Sequence, residues 1–468
     1  MTGIQSGKTW LTDSELRLAP LLSGKPTLAI SAGSLGVAAI AAFFTPLAAL
    51  PVLGLLALFL IVNYPAVLMP GYLLVIGLVW TLPGWPIAPL KPAALLLTAG
   101  VALALFLRVK LPRIHWAHLV FLAFGIWTLI AGEVSGNSEL SRSYSISLIG
   151  WGFSLIALYQ LSSGKRGLLN LAKSYSLSIA FGCVFVLLVY LSGRTTVMTP
   201  VAGDVNDFGV MVAAAFFLSL GLARERSLPR SQRIVFLVAA GLCLLVAVGS
   251  LSRGTWLAVA VGLAVHFILY RRDRLMLIGG AAVAMLLALL ALPFLNERIT
   301  QTLQQKQYIA AENVDSRILA WRLALRLFGE QPLTGFGIGS IQPKLTANFS
   351  SPPGDFVVSF VHNSYVELLY GTGLIGTGLF LVLAAVMVGQ SFRLGRVLGP
   401  GVAGGSVAAS LLPAVVATFV ASFTVTELTY PPFWLALALG LSAGTVRPAV
   451  DEVPFPERER IPERVGDS

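Results

Sequence analysis

Long apolar runs, each close to the roughly 20 residues a helix needs to cross a bilayer, recur along the chain with polar breaks between them. They fall at Thr27–Thr45, Leu47–Val62, Ala66–Leu82, Pro92–Leu107, Trp116–Ala131, Ile146–Leu161, Tyr175–Leu191, Asp207–Leu222, Ile234–Val248, Thr255–Tyr270, Leu275–Leu295, Asn363–Val388, Val407–Phe423 and Pro432–Ala443. The pattern predicts an all-α polytopic membrane protein of about fourteen (12 to 14) transmembrane helices. Very short turns separate the first runs, so their number must be settled by charge. One interval breaks the rhythm. Between Leu295 and Val361 about 65 residues run without a spanning segment, and loops of that length usually carry function or structure of their own. Inside it, Asp315 and Ser316 can cap a helix over Arg317–Phe328, where Ile318, Trp321, Leu325 and Phe328 recur at helical spacing. This reads as an amphipathic helix on the membrane surface.

Composition agrees with the pattern. Of 468 residues 56% are hydrophobic and 11% charged, where a soluble domain carries roughly a quarter charged residues. With a mean hydropathy of +0.83, a soluble enzyme is excluded. The balance of 32 basic against 21 acidic residues gives +11, and in a membrane protein its placement matters more than its sum. Basic clusters stand at Arg108, Lys110 and Arg113; at Lys165, Arg166 and Lys173; at Arg224, Arg226, Arg230 and Arg233; at Arg271, Arg272 and Arg274; and at Arg393 and Arg396. They occupy every second loop. With four spans before Arg108, the positive-inside rule puts all five clusters and both termini in the cytoplasm and the long interval outside. The excess charge is thereby explained without a nucleic-acid partner.

The predicted organisation is a cytoplasmic N-terminus over 1–26, helices one to eleven over 27–295, an outer loop over 296–361, helices twelve to fourteen over 362–446, and a disordered cytoplasmic tail over 447–468. Residues Met1 to Lys25 lack the layout of a cleaved signal, so the first apolar run is expected to stay as a helix. Cys183 and Cys243 lie in apolar stretches without partners for a metal site or disulfide framework, and read as small core residues.

Polar groups near a bilayer are costly, which makes their placement informative. On the expected outer face stand Arg194, Asp204, Asn206, Asp207, Arg253, Arg317, Arg322, Arg326, His362, Asn363, Glu367 and Glu427. Arg253 sits in a turn of about five residues between two spans. Alone it reads as an interfacial, snorkelling arginine; joined with Arg317 and Arg322 it suits an anionic ligand such as a diphosphate, whose oxygens match the guanidinium fork. Of the four histidines, His115, His118 and His266 read as packing or interfacial residues. His362 alone faces outward, where its imidazole can take a proton from a hydroxyl. Metal chemistry has little support, since only Asp204 and Asp207 stand close and they serve equally as a loop acid and a helix cap. Gly335, Gly337 and Gly339 read as a turn before they read as a phosphate loop. Proton-coupled transport would call for carboxylates near mid-membrane, and the spans carry almost none.

Four pieces of the chain, in order around the long loop, resemble a known superfamily. They are Gly203-Asp-Val-Asn-Asp-Phe-Gly209, Leu251-Ser-Arg-Gly-Thr255, Arg317 with Trp321 leading to Pro332-Leu-Thr-Gly-Phe-Gly-Ile-Gly339, and Val361-His-Asn-Ser-Tyr-Val-Glu-Leu368 leading to Gly373-Leu-Ile-Gly376. Together they resemble the O-antigen ligase and O-antigen polymerase superfamily of bacterial membrane glycosyltransferases, over roughly Gly203 to Leu383.

The resemblance implies a glycan donor linked to polyprenyl (undecaprenyl) diphosphate, transfer at the periplasmic face of the inner membrane, and a place in O-antigen or exopolysaccharide assembly. It implies that Arg253 and Arg317 stabilise the departing diphosphate, with Arg322 a second candidate for the same anion, and that His362 is the base or the group that orients the acceptor. Asn206 and Asp207 match the family's polar pair and read equally as a helix-start cap; Asn363 and Glu367 would orient His362 or the acceptor. No cofactor and no metal are expected, because diphosphate is already a good leaving group. The expected partners are the lipid-linked donor, an acceptor that is a glycan, a lipid A core or a protein, and the bilayer. Ligase, polymerase and protein O-oligosaccharyltransferase stay open, as do the sugars, although two spans beyond the usual ligase pattern lean toward a polymerase. The competing class is a flippase for lipid-linked oligosaccharide, which would call for a polar path through mid-membrane and internal repeats.

Overall fold

In a computed structural model of the protein, the structure describes residues 64–79, 90–195, 197–200, 205–275, 278–279, 316–349, 361–398, 402–426 and 428–447. All their regular elements are helical, with no strand among the described residues. We number them α1 (Leu68–Val79), α2 (Leu90–Leu107), α3 (Trp116–Val134), α4 (Ser138–Ser162), α5 (Gly164–Leu191), α6 (Val205–Arg224), α7 (Arg230–Gly249) and α8 (Arg253–Leu269). After the long interval begins come α9 (316–328), α10 (Ile341–Phe349), α11 (Ser364–Leu398), α12 (Gly405–Ala421) and α13 (Pro431–Gly444). Seven helices among the described residues are long and apolar enough to cross a membrane, and shorter apolar helices stand at Pro65–Val79, Arg253–Leu269, Gly405–Ala421 and Phe433–Gly444. The expected spans Thr27–Thr45 and Leu47–Val62, most of Leu275–Leu295, the N-terminus, the tail beyond Arg447, residues 296–315 and 350–360, and Asp204, Asp315 and Glu427 lie outside the described residues.

The chain divides into two compact units. The smaller comprises Met1–Leu68 with Ala99–Leu111; its described parts are a 3-10 turn at Pro65–Val67 and the last turns of α2. The larger comprises Met69–Thr98 with Pro112–Ser468 and carries every residue discussed below. At its centre α6 packs against α5, α7, α8 and α12, and nearly every side chain from Phe208 to Leu222 is buried. Lipid gives helices no hydrophobic reason to associate, so close packing of small residues does the work. α12 supplies them as Gly405, Ser406, Ala408, Ala409 and Ser410. A β-carbon on Gly221 would overlap Ser410 Oγ, and one on Gly262 would overlap the Phe217 ring. His115 and His118 form a capping box on α3: His115 Nδ1 accepts from Ala117 N (3.2 Å) and the His115 N–H donates to His118 Nδ1 (3.0 Å).

The long interval holds structure of its own. α9 forms where the periodicity predicts a helix, but the face it turns to the protein differs from the large-residue stripe. Ala320 and Ala324 are fully buried against Phe336, Ile341, Leu345, Val361 and Tyr370, with Trp321, Leu323 and Leu327 partly buried on the same cluster, while Ile318, Leu319 and Leu325 stay exposed. Alanines let the helix approach closely, leaving Ile318, Leu319 and Leu325 outward.

The glycines after α9 dock on a break in α11. Gly373 (φ 60°, ψ −165°) interrupts that helix, and the carbonyls before it accept instead from Phe336 N at Tyr370 O (2.9 Å), from Gly337 N at Gly371 O (2.8 Å) and from Trp127 Nε1 at Thr372 O (2.8 Å). Beyond the break, Leu374 N donates to Pro332 O (2.8 Å). Only glycine serves at 373, because its φ lies in the left-handed region and a β-carbon would run into the Leu333 carbonyl. The Gly335–Gly339 stretch is thus a packed turn.

Candidate functional site

A cavity of about 130 Å³ opens where the N-terminal ends of α6 and α11 meet α4, the start of α10 and the α12–α13 connection. Three of the residues singled out by sequence line it: Asp207 from the first turn of α6, His362 just before α11, and Glu367 from the first turn of α11. Tyr144, Gln342, Thr426, Thr429 and Tyr430 line it as well, and sequence reasoning missed them. Tyr144 lies near the start of α4 and Gln342 follows the glycine turn; Thr426 and Tyr430 flank Glu427, the one signal in that stretch of the sequence. Gly339 lets the turn lie flat on the Tyr144 ring, which a β-carbon would penetrate.

The remaining candidates are not among the residues that line the cavity. Asn206 Oδ1 accepts from Ser252 Oγ (2.6 Å), and Ser252 caps α8 by accepting from Thr255 N (3.2 Å) and from Thr255 Oγ1 (3.0 Å). Gly209 leaves room for that Thr255 hydroxyl. These contacts join the start of α6 to the start of α8, whose first residue is the exposed Arg253. Next to it, Gly254 backs onto Thr424, two residues before Thr426. Arg253 is therefore fixed beside the cavity without being among the residues that line it. Arg317 is half-buried one helical turn before Trp321 on α9, and Trp321 Nε1 donates to Val361 O (2.9 Å), pinning α9 to the residue before His362. Arg322 is exposed. Asn363 is buried and caps α11, its Oδ1 accepting from Tyr365 N (3.0 Å) and Val366 N (3.1 Å). Ser364 ties the same helix start to the end of α12, its N–H donating to Ser422 O (3.0 Å) and its hydroxyl to Val425 O (2.8 Å).

Two features of this end of the molecule bear on its chemistry. His362 (φ 49°) and Leu251 (φ 52°), in the turn before Arg253, hold left-handed backbone without being glycine, a conformation that is strained and gathers at functional sites. Glu367 is buried and receives a hydrogen bond from the Gly339 N–H, yet its Oε2 has no partner, and neither has the buried Thr426 Oγ1. A buried polar atom without a partner costs about 1–3 kcal/mol.

A second polar cluster lies at the opposite ends of α6 and α8. Arg224 clasps Asp273 with both terminal nitrogens, Nη1 to Oδ2 at 2.6 Å and Nη2 to Oδ1. His266 Nε2 meets the same Oδ2 at 2.7 Å. His266, expected as a packing or interfacial residue, is buried against Asp273 in this cluster. Burial pushes the Asp273 carboxyl up, but hydrogen bonds from His266 and Arg224 and the arginine's charge outweigh it and hold it below the ordinary carboxylate range. Nearby, Glu225 Oε1 accepts from Gly404 N (2.8 Å), tying α6 to the start of α12. Cys183 and Cys243 are free and buried. Among the described residues no three His, Cys, Asp or Glu side chains are grouped to hold a metal ion.

Helices long and apolar enough to cross a membrane, with a small cavity at the N-terminal ends of two of them, are consistent with a polytopic membrane protein. A model of the O-antigen ligase family matches residues 238–381, and the chain's resemblance to the O-antigen ligase and polymerase superfamily stands on that match. The matched segment takes in Arg253, Arg317, Arg322, His362, Asn363 and Glu367; Asn206, Asp207, Tyr144, Thr426 and Tyr430 lie outside it. No curated protein matches the chain.

Proposed function

We propose that this protein is an inner-membrane glycosyltransferase of the O-antigen ligase or polymerase type, moving a glycan from a polyprenyl diphosphate carrier to an acceptor hydroxyl at the periplasmic face. The observation that carries the reading is the placement of His362, with two carboxylates, in a cavity whose walls are continuous with the segments bearing Arg253 and Arg317. In the reaction the acceptor oxygen attacks the anomeric carbon of the donor sugar while the bond to the diphosphate breaks. His362 takes the hydroxyl proton, and the arginines neutralise the departing polyprenyl diphosphate. Arg322, exposed on the same helix as Arg317, meets the anion at its edge. Asn206 and Asn363 act as positioning residues, holding the starts of α8 and α11, and Asp207 and Glu367 face the acceptor. The chemistry asks for charge neutralisation and alignment, which these side chains supply without a metal.

The packing of α6 favours this reading over a flippase. Between the cavity and the Arg224 cluster that helix buries an unbroken series of apolar and small side chains, whereas a carrier needs a polar path along the bundle. The test is reconstitution with a polyprenyl diphosphate-linked oligosaccharide in EDTA, with products read by mass. Lipid-linked chains that lengthen without added acceptor identify a polymerase; transfer only when lipid A core is supplied identifies a ligase. A donor left intact with glycan, lipid A core and protein acceptors alike refutes the proposal.

A further inference from the structure

The cavity and the candidate arginines differ in chemistry. Its described lining includes no lysine or arginine, so it lacks the cations that would hold a diphosphate. What it offers suits a neutral polyol. Glu367 Oε2 and Thr426 Oγ1 are buried and unpartnered beside it, an acceptor and a donor–acceptor of the kind that sugar hydroxyls satisfy. Gln342 adds an amide, and Tyr144 and Tyr430 add rings with phenolic hydroxyls, whose faces attract the partly positive C–H edges of a pyranose. At about 130 Å³ the space is well below the roughly 300–1,000 Å³ of pockets for drug-sized ligands, which limits it to about one sugar unit.

We infer that this cavity is the acceptor subsite, holding one neutral sugar whose hydroxyls are read by Glu367, Thr426 and Gln342, while the donor diphosphate stays outside it on the arginines. The inference rests on the glycosyl-transfer reading for the word acceptor, because the sugar held here is the one next to His362. It further specifies the acceptor as a glycan in place of a protein hydroxyl, and it assigns specificity to Thr426 and Tyr430, which lie beyond the segment matched by the O-antigen ligase family.

Binding can be measured without turnover. Full-length protein in detergent is titrated with methyl glycosides of glucose, galactose and N-acetylglucosamine by saturation-transfer NMR, with inorganic pyrophosphate as competitor, for wild type, Glu367→Gln and Thr426→Val. At least one glycoside should bind saturably, bind about tenfold more weakly to each variant, as expected for one lost hydrogen bond to a substrate, and resist displacement by pyrophosphate. Should a variant unfold, Gln342→Ala on the rim of α10 gives the same reading. The inference is overturned if no glycoside binds, if the folded variants bind as wild type does, or if pyrophosphate displaces the sugar. Glycoside binding without transfer in the reconstituted system would remove the transferase reading and leave a sugar site; transfer unaffected by these variants would do the reverse.

Discussion

α6 and α8 each run between two polar regions, and the two regions are finished differently. At their C-terminal ends Arg224, His266 and Asp273 close on one another, a guanidinium and an imidazole around one buried carboxylate. At their N-terminal ends the polar atoms gather around a space, and Glu367 Oε2 and Thr426 Oγ1 beside it have no protein partner. His266 Nδ1 and Glu225 Oε2 also lack partners, but neither residue lines that cavity. An arginine and a carboxylate closed on one another make a joint. Polar atoms held beside a space, on strained backbone at His362 and Leu251, make a site.

If that contrast is right, substitutions at the two ends fail in opposite ways. The largest effect is expected at the cavity end: His362→Ala and Arg253→Ala should each lower the glycan-transfer rate by about 10²-fold or more, with a melting temperature close to wild type. Asp273→Ala should do the reverse. Removing the buried carboxylate strands Arg224 and costs about 3 kcal/mol, seen as a large fall in melting temperature, while the folded fraction keeps its turnover. Gly373→Ala comes next, at about 2 kcal/mol from left-handed strain and the clash with the Leu333 carbonyl, measured by denaturant or thermal unfolding.

Acid sharpens the same comparison. Asp273 is held below its ordinary value of 3.8, so the folded state binds its proton less readily than the unfolded chain does. Its contribution is full above that ordinary value and is lost as pH falls through the lower, folded value. Melting scans from pH 7 down to pH 3 should therefore show wild type and Asp273→Asn converging below about pH 4. The smallest effect on stability is expected for Glu367→Gln, within about 1 kcal/mol of wild type, because the oxygen it changes has no partner to lose.

Much of this was legible in the sequence because the signals are local. Apolar length places α1 to α8 and α11 to α13, though not the short α10, and the motif pieces around Arg253 and His362 fall at helix starts, where a bilayer-spanning chain presents polar groups. The helix over 316–328 was legible too, but its packed face was not, since close approach favoured Ala320 and Ala324 over the larger Ile318 and Leu325. The rest of the cavity depends on distant contacts. Tyr144 matters because Gly339 folds onto it from nearly two hundred residues away, and Thr426 and Tyr430 matter because α12 and α13 bring their connection beside His362. Neither periodicity nor charge records such meetings. The ion cluster was hidden for the same reason: Arg224 was visible only as one of a basic group, with nothing local pointing to Asp273 and His266.

The most direct test of the central claim is the release of polyprenyl diphosphate from a lipid-linked oligosaccharide, followed by mass alongside the glycan product, for reconstituted wild type, His362→Ala and Asp273→Asn at equal folded concentration. The account predicts one diphosphate carrier released per glycan transferred by wild type, the same turnover per folded molecule for Asp273→Asn, and none for His362→Ala. Release that persists in His362→Ala, or a donor that wild type leaves intact while carrying it across the bilayer, would contradict it.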